Sequence, residues 1–408
     1  MLINVLKILT EVLFAVSVPL TIYGIYFVIM AMLSFKKHKR YPNAAPKTRF
    51  ALVVAARNEE AVISKLVDSL NGQDYPKELF EVIVAPNNCS DNTEKEAAAH
   101  GARIFTHSGS VHSKGEVLSQ IVDKIILKEN FDAMCVFDAD NLAAKDFLLH
   151  MNNAIVSGAN VVQGFRDSKN PRQSAISGCY SIGYWMLNQF YNRPRAALGL
   201  SALVNGSGFA VTKEMLHRLG GWNTVTMTED YEFSARTAIS GERVEFVQDA
   251  IIYDEQPLTF KESWKQRRRW VTGSLQGLRL YGFSLLKAAI TKRSFTCFDM
   301  LLTFVSPVIG LISFAFGIFG SALLGLVPML LCAVGGVLLC AFGGAAVSAF
   351  TIKLRQRPLT GMGGAIAGFW IFLASQMLIT ISCIIKKQDK WEPIVHSNAI
   401  GLEDVKAA

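Results

Sequence analysis

Two aspartates separated by one residue follow an apolar run near the middle of the chain. Asp138 and Asp140 come directly after the β-branched and aromatic run 133–137. Carboxylates this close repel each other unless a divalent cation neutralises them, and Mg²⁺ and Mn²⁺ prefer oxygen ligands. The pattern predicts a Mg²⁺ or Mn²⁺ site of the kind that holds a diphosphate. A solvated turn is the alternative for this tripeptide taken alone.

Three more polar groups follow apolar runs, and they contain Glu59, Asn87 and Lys114. The runs 50–54, 80–85, 103–106 and 133–137 alternate with segments of helical spacing, which predicts a βαβαβαβ order and therefore a parallel sheet. Ligands of such sheets bind at the carboxyl ends of the strands. We therefore expect these side chains and the Asp138 turn to meet in one crevice.

Two further motifs lie toward the end of the same region. Asp230 follows Glu229 at the start of a segment of helical spacing, where the positive end of the helix favours an ionised carboxylate. In the segment Q-R-R-R-W, a helix places Gln266, Arg269 and Trp270 on one face. Arginine binds phosphate through two parallel bonds, and an indole stacks on the C–H surface of a sugar. The alternative for the second motif is a basic amphipathic helix on anionic lipid.

The composition is too apolar for a wholly soluble protein. Of 408 residues, 51% are hydrophobic and 18% are charged, whereas about a quarter is charged in average soluble domains. The uncharged run 12–33 is long enough for one membrane span, the run 300–352 suits two, and 358–385 forms a third C-terminal run. Basic residues after the first run place the following domain in the cytoplasm. Three C-terminal crossings would leave Lys386 and Lys387 outside, so either one segment is re-entrant or the positive-inside rule is broken.

These features divide the chain into five parts. We expect an N-terminal transmembrane helix with a basic flank (1–40), a cytoplasmic α/β domain (41–275), an interfacial helix (276–296), C-terminal transmembrane segments (297–390) and a tail (391–408). The seven cysteines are odd in number and scattered, which argues against a disulfide framework or a thiolate zinc site. The net charge of +8 lies mainly beside the apolar runs, so it indicates a membrane surface and no nucleic-acid partner.

The motifs A-R-N-E, S-D-N-T, H-S-K-G, D-A-D, T-E-D and Q-R-R-R-W, in this order between membrane spans, resemble glycosyltransferase family 2. The similarity is strongest to the membrane-embedded synthases of cellulose, chitin, hyaluronan and poly-N-acetylglucosamine, and it covers residues 48 to 275. It implies a GT-A nucleotide-sugar-binding domain with a mostly parallel sheet, one N-terminal and two to three C-terminal transmembrane helices. It also implies a UDP-sugar donor, Mg²⁺ or Mn²⁺ as cofactor, and inversion at the anomeric carbon.

The resemblance assigns roles to the donor side of the site. It implies that Glu59 and the turn at Asn87 hold the nucleoside, Lys114 the diphosphate, Asp138 the nucleotide and the metal, and Asp140 the metal. Members of the family usually have aspartate where this chain has Asn87. An amide still bonds to a uracil edge but carries no charge, so the identity of the donor base is the open point.

The resemblance also assigns roles around the reacting hydroxyl. It implies that Asp230, with Glu229 beside it, is the general base and that Arg269 contacts the leaving diphosphate. The acceptor sugar would be held by Gln266, Trp270 and the small-residue turn at Gly206 and Ser207.

The expected activity is processive extension of a β-linked polysaccharide by a multi-pass protein of a bacterial cell membrane. Its partners would be the UDP-sugar, the polysaccharide, the bilayer and accessory export or assembly subunits. The alternative is a single-addition enzyme with a glycolipid acceptor. A transporter with a nucleotide-sensing domain is disfavoured because no ionisable residue occurs in 300–352. A nucleic-acid or lipid-surface binder leaves the carboxylate motifs unexplained.

Overall fold

The structure is a computed structural model, and it describes residues 2–37, 40–386 and 398–407. Its strands form one sheet in the order β3-β2-β1-β4-β7-β6-β8-β5. The first four strands pair in parallel, β7 runs antiparallel to β4 and β6, and β8 runs parallel to β6 and antiparallel to β5. The strands are β1 (Phe50–Ala56), β2 (Phe80–Pro86), β3 (Arg103–Ile104), β4 (Ala133–Asp138), β5 (Leu142–Ala143), β6 (Val161–Ser168), β7 (Phe209–Thr212) and β8 (Val244–Asp254). The predicted mostly parallel α/β sheet is confirmed.

Helices cover both faces of this sheet and continue into an apolar C-terminal region. They are α1 (Leu2–Leu33), α2 (Ile63–Asn71), α3 (Thr93–Ala99), α4 (Lys114–Ile121), α5 (Phe147–Val156), α6 (Ala175–Met186), α7 (Arg193–Ala197), α8 (Lys213–Arg218), α9 (Glu229–Ile239), α10 (Phe260–Thr291), α11 (Phe295–Leu323), α12 (Leu326–Leu354), α13 (Gly363–Ile385) and α14 (Leu402–Ala407). A π-helical turn over Leu187–Asn192 joins α6 to α7.

The sheet is buried on both faces, as its near-continuous apolar strands predict. In β1, Ala51 and Val53 pack into one core cluster, whereas Leu52 and Val54 pack into the other. Strand β1 and the first five residues of β4 carry no polar side chain before the strand ends. The polar residues that follow them therefore collect at one edge of the sheet.

Helix α10 is continuous for 32 residues. It begins at a capping box in which Thr259 and Glu262 bond to each other's backbone N–H. The helix passes without a break through residues 275 and 276, where the sequence places a domain boundary. The Q-R-R-R-W segment and residues 276–291 of the predicted interfacial stretch therefore belong to one helix, whereas residues 295–296 begin α11.

Four helices of the described chain are long and apolar enough to cross a membrane. They span Glu11–Leu33, Phe295–Leu323, Leu326–Leu354 and Gly363–Ile385, with mean hydropathy between 1.9 and 2.3. A turn at Gly325, which has a positive φ of 106°, separates the second from the third. One N-terminal and three C-terminal apolar helices agree with the predicted architecture.

Candidate active site

Lys114 begins α4 directly after Ser113, whose hydroxyl caps the helix. Its ammonium donates to Asp138 Oδ1 at 2.5 Å and to the carbonyl oxygen of Gly206 at 2.7 Å. Glu229 Oε1 lies 3.7 Å from the same nitrogen. Burial opposes the charge on Lys114, but Asp138 and Glu229 outweigh it and raise the pKa of the lysine. Lys114 therefore stays positively charged within a carboxylate cluster.

Asp138 ends β4, and two side chains fix its backbone. Its N–H donates to Asn141 Oδ1 at 3.1 Å and to Ser207 Oγ at 3.0 Å. The Ser207 hydroxyl is fully buried and donates to Asn141. This side chain holds the turn in place, and its predicted contact with an acceptor stays a prediction. Burial works against ionisation of Asp138, but Lys114, Arg166 and Arg269 lower its pKa overall.

Asp140 lies in the same turn and is 5% exposed. One of its oxygens accepts from the Glu255 N–H at 3.0 Å. The described residues contain no group of three His, Cys, Asp or Glu side chains with metal-ligand geometry. Mg²⁺ commonly uses only one or two carboxylates and completes its shell with phosphate oxygens and water. Asp138 and Asp140 therefore fit an ion that binds together with a diphosphate.

Glu229 and Asp230 are the first two residues of α9. Asp230 Oδ1 accepts from the Tyr231 N–H at 2.8 Å. Burial and the charge of Glu229 raise the pKa of Asp230 to about 7, although Lys114 and Arg166 oppose the rise. The helix position alone predicts a fully ionised group. Because burial outweighs that effect, Asp230 instead titrates near neutrality, where a general base is most effective.

Gly206 lies between the Asp230 carboxylate and the Lys114–Asp138 ion pair. Its φ is +88°, and a Cβ there would lie 3.5 Å from Asp230 Oδ2 and 4.0 Å from Asp138 Oδ2. Glycine keeps the space between the two aspartates open. The structure thus brings Lys114, Asp138, Glu229 and Asp230 together around one small-residue turn.

Arg166, Asp254 and Tyr184 form part of the site without standing out in the sequence. Arg166 Nε donates to Asp254 Oδ2 at 2.7 Å, and its Nη1 donates to the Asn205 carbonyl at 2.6 Å. The guanidinium lies over the Tyr184 ring, 4.4 Å from the centroid. Two features of the sequence could have indicated them. Arg166 is a charged residue inside the buried strand β6, and Asp254 is a charged residue at the end of β8.

The predicted acceptor face of α10 is half-buried against α6. The Trp270 ring meets Tyr180 and Tyr184 edge-on, with centroids 5.8 and 6.4 Å apart. Gln266 Oε1 is buried and has no hydrogen-bond partner within the described residues. Arg269 lies close enough to Asp138 to lower its pKa. The helix therefore presents all three predicted side chains toward the region between α6 and the carboxylates.

The residues expected at the nucleoside follow the neighbouring strands. Asn87 is 6% exposed, and its N–H donates to the Ala56 carbonyl at 2.7 Å. The Glu59 N–H donates to Thr93 Oγ1 at 2.8 Å. Because β1 lies between β2 and β4, both residues share the sheet edge of Asp138. The structure places them on the sheet edge that carries Asp138, and their contact with a nucleoside stays a prediction.

Residues 46–273, more than half of the chain, match the model of "Glycosyltransferase like family 2". This protein belongs to that family. It is 29% identical over 260 residues to a beta-monoglucosyldiacylglycerol synthase of Trichormus variabilis, covering 62% of this chain and 54% of the relative. It is 26% identical over 266 residues to the probable glycosyltransferase YdaM of Bacillus subtilis, covering 61% of this chain and 63% of that relative.

A third relative is a poly-beta-1,6-N-acetyl-D-glucosamine synthase of Staphylococcus aureus, which is 24% identical over 276 residues. This match covers 66% of this chain and 65% of that relative. The chain thus spans about half to two-thirds of the length of these curated relatives. Among solved structures, the mannosyltransferase PcManGT from Pyrobaculum calidifontis, in complex with GDP-Man and Mn²⁺, superposes with a TM-score of 0.61 at 19% identity. The match covers 91% of this chain and 99% of that one, so the two share a fold.

Proposed function

We propose that this protein transfers a sugar from a nucleotide-sugar to a hydroxyl group presented at the membrane surface, with inversion at the anomeric carbon. One observation carries the proposal. A half-buried carboxylate with a pKa of about 7, Asp230, lies across Gly206 from the Lys114–Asp138 pair. A proton acceptor and a diphosphate-binding group at opposite sides of one gap are what such a displacement requires.

In the proposed reaction the acceptor oxygen attacks the anomeric carbon while its proton passes to Asp230. The bond between that carbon and the diphosphate oxygen breaks, and the nucleoside diphosphate leaves with the electron pair. Lys114 and Arg269 stabilise the charge that develops on the leaving group. A Mg²⁺ or Mn²⁺ ion held by Asp138 and Asp140 would add positive charge to the same diphosphate.

The donor is proposed to be a UDP-sugar, as the family resemblance implies. Asn87 replaces the aspartate usual at the nucleoside, and PcManGT is a structure with GDP-Man. Donor specificity should therefore be measured with both uridine and guanosine diphosphate sugars. The Mn²⁺ of that structure supports a divalent ion and does not distinguish it from Mg²⁺.

Processive synthesis of a β-linked polysaccharide is the first candidate for the product. Trp270 provides an aromatic face next to Tyr180 and Tyr184, and the poly-beta-1,6-N-acetyl-D-glucosamine synthase is a relative at 24% identity. A glycolipid is the second candidate, because the beta-monoglucosyldiacylglycerol synthases are more similar, at 28 to 29% identity. In either case we propose that the enzyme resides in a bacterial cell membrane with its catalytic domain in the cytoplasm. Accessory export or assembly subunits belong to the first candidate.

The activity is tested by incubating the purified protein in detergent with a panel of UDP-sugars and GDP-mannose and measuring the released nucleoside diphosphate. We expect release from one donor, its loss in excess EDTA, and its recovery with Mg²⁺ or Mn²⁺. The variant Asp140→Ala should lose both donor binding and turnover. Full activity in excess EDTA would contradict the metal-dependent mechanism.

Product length separates the two candidates. With donor in excess, a processive enzyme forms long polymer while most acceptor is still unextended, and Trp270→Ala shortens or abolishes that polymer. Accumulation of only mono- or disaccharide lipid at every time point assigns the enzyme to glycolipid synthesis instead.

A further inference from the structure

Basic residues flank the last apolar helix at both ends. Lys353, Arg355 and Arg357 precede α13, and Lys386 follows it. If α13 crosses the bilayer, these two groups lie on opposite sides, which contradicts the tendency of lysine and arginine to remain in the cytoplasm. The contacts of α13 resolve this conflict.

The N-terminal end of α13 is fixed to the catalytic domain. Cys179 of α6 lies with its Sγ 3.6 Å from the Ala365 carbonyl, and a Cβ at Gly178 would approach the Ala365 side chain to 2.5 Å. In the preceding loop, Arg355 and Arg357 lie 3.6 and 3.4 Å from Asp167 Oδ2 of β6.

The middle and the C-terminal end of α13 are fixed to α10. The Phe372 carbonyl accepts from Arg267 Nη1 at 2.7 Å, and the Arg267 guanidinium lies 4.1 Å from the Phe372 ring centroid. Farther along, Ile379 and Cys383 pack against Val271. At the end, the Lys386 carbonyl accepts from Arg268 Nη2 at 3.0 Å.

Helix α10 itself lies on the catalytic domain along its whole length. Thr228 sits directly against Gly273, Tyr281 donates to Glu232 at 2.7 Å, and Lys292 donates to the Ile239 carbonyl at 2.9 Å. A helix of 23 residues that crossed the bilayer would have its far end about 30 Å from this layer. It could not contact α6 at one end and α10 at the other.

We propose that α13 does not cross the membrane but lies along its catalytic face, as a cover over α6 and α10. Its exposed apolar side, which includes Ile371, Leu378 and Ile384, would rest in lipid at the interface. Only α1, α11 and α12 of the described helices then cross, and the basic residues that flank α11, α12 and α13 lie on the side of the catalytic domain. This inference goes beyond the proposed reaction and holds for either product.

The described C-terminal residues agree with this arrangement. The Asn398 N–H donates to Glu255 Oε2 at 3.0 Å, and Glu403 lies 3.1 Å from Lys145 Nζ. Val405 is buried beside Leu142 and Tyr253 at the edge of the sheet. The chain after α13 therefore returns to the catalytic domain, as it must if the helix does not leave that side.

Labelling of single introduced cysteines tests the proposal without any activity assay. Gly363→Cys and Lys386→Cys mark the two ends of α13, Glu94→Cys marks the catalytic side, and Leu324→Cys marks the turn between α11 and α12. The parent carries Cys89→Ser, Cys332→Ser and Cys340→Ser, because these three native thiols are partly or fully exposed. A membrane-impermeant maleimide should label Leu324→Cys in intact cells, and the other three only in inside-out vesicles.

Labelling of Lys386→Cys in intact cells would overturn the proposal, because α13 would then cross. Labelling of Glu94→Cys and Leu324→Cys from the same side would overturn it as well, since α11 and α12 would not cross. As a check on the unsubstituted chain, fluorescent protein and alkaline phosphatase are fused in turn to its C-terminus. The first fusion should be fluorescent and the second inactive, and an active phosphatase would contradict the proposal.

Discussion

At the scale of single residues, the charge of Asp230 depends on opposing neighbours. Burial and Glu229 favour its protonated form, while Lys114 and Arg166 favour the carboxylate. The resulting pKa of about 7 lets Asp230 exchange a proton under physiological conditions. A base of this kind predicts a pH dependence of transfer whose midpoint responds to the charge of Glu229.

We expect kcat/KM to rise as the pH increases through about 7, because only ionised Asp230 accepts the proton of the acceptor hydroxyl. Glu229→Gln removes a neighbouring negative charge, which lowers the pKa of Asp230 and moves the midpoint to lower pH. Glu94→Gln, at an exposed position on α3, serves as the control. An unchanged midpoint in Glu229→Gln would show that another group titrates.

Tyr184 offers a second test at this scale. Its ring lies on Arg166 and beside Trp270, and its hydroxyl has no hydrogen-bond partner among the described residues. The Tyr180 hydroxyl, one turn earlier, donates to the Ser263 carbonyl at 3.3 Å. Tyr184→Phe should raise KM for a sugar acceptor by about twofold to tenfold, the value of one hydrogen bond, with the donor KM unchanged. Tyr180→Phe is the matched control.

Kinetics with varied acceptor and varied donor separate the possible outcomes for Tyr184. Equal acceptor KM values for the two phenylalanine variants would remove the Tyr184 hydroxyl from acceptor binding. A change in the donor KM alone would place that hydroxyl on the other side of the site.

The sequence reveals site residues that lie in the polar segment between a strand and the next helix, but it does not reveal those that meet through strand pairing. Lys114 and Asp138 are visible because each follows an apolar run. Arg166 and Asp254 meet because β6 and β8 pair in parallel with a register shift between Gly164 and Phe165. Hydrophobic periodicity carries no information about register between strands so far apart. Tyr184 lies in an apolar helical stretch, which favours a core position.

At the scale of elements, small residues let α10 approach the turn that carries the carboxylates. A Cβ at Gly273 would lie 2.2 Å from Thr228 Oγ1, directly before Glu229. Gly277 packs equally closely on Phe304 of α11, where a Cβ would lie 2.3 Å from the ring. These glycines let one helix connect the predicted acceptor face, the proposed general base and the apolar helix α11. A shift in composition near residue 275 therefore does not mark the end of an element.

Gly273→Ala should displace Thr228 and with it Asp230. A misplacement of about 1 Å at a reacting group costs on the order of 10²-fold in rate, so we expect a loss of that size with helical content retained. Gly282→Ala on the same helix is the control, because the nearest atom there is the flexible end of Leu278, at 3.0 Å. Measurement of kcat together with circular dichroism checks both variants. Equal kcat values for them would contradict a role of α10 in placing the base.

At the scale of the whole molecule, a buried ion pair joins the catalytic domain to two of the long apolar helices. Arg195 of α7 bonds to Asp299 of α11 through two contacts of 2.7 Å, and Tyr26 of α1 donates to the same carboxylate at 2.5 Å. The Arg195 side chain is fully buried. The group therefore fixes α1 and α11 relative to the sheet.

Removing one member of a buried pair costs about 3–5 kcal/mol, because the partner charge stays uncompensated. Asp299→Asn should therefore lower the midpoint of thermal unfolding in detergent clearly. Asp249→Asn should leave it unchanged, because the Asp249 side chain is 45% exposed and lies 4.0 Å from an exposed Arg40. Equal midpoints for the two variants would show that the pair does not hold the domains together.

The number of crossing helices bears on the product. A sugar polymer in lipid needs partners for its hydroxyl groups along the whole path. If α13 lies on the catalytic face, the described chain contributes three crossing helices, which do not form a closed wall around such a path. Polymer export would then require helices from another subunit, whereas a glycolipid product needs none.

The central claim, transfer of a sugar with Asp230 as the base, is tested most directly by separating donor binding from transfer in one variant. Asp230→Asn keeps the shape of the side chain and removes the proton acceptor. Its affinity for the intact nucleotide-sugar donor that the wild type uses should stay within about twofold of wild type. The rate of sugar transfer should fall by about 10² to 10⁴. Wild-type transfer by Asp230→Asn would contradict the account.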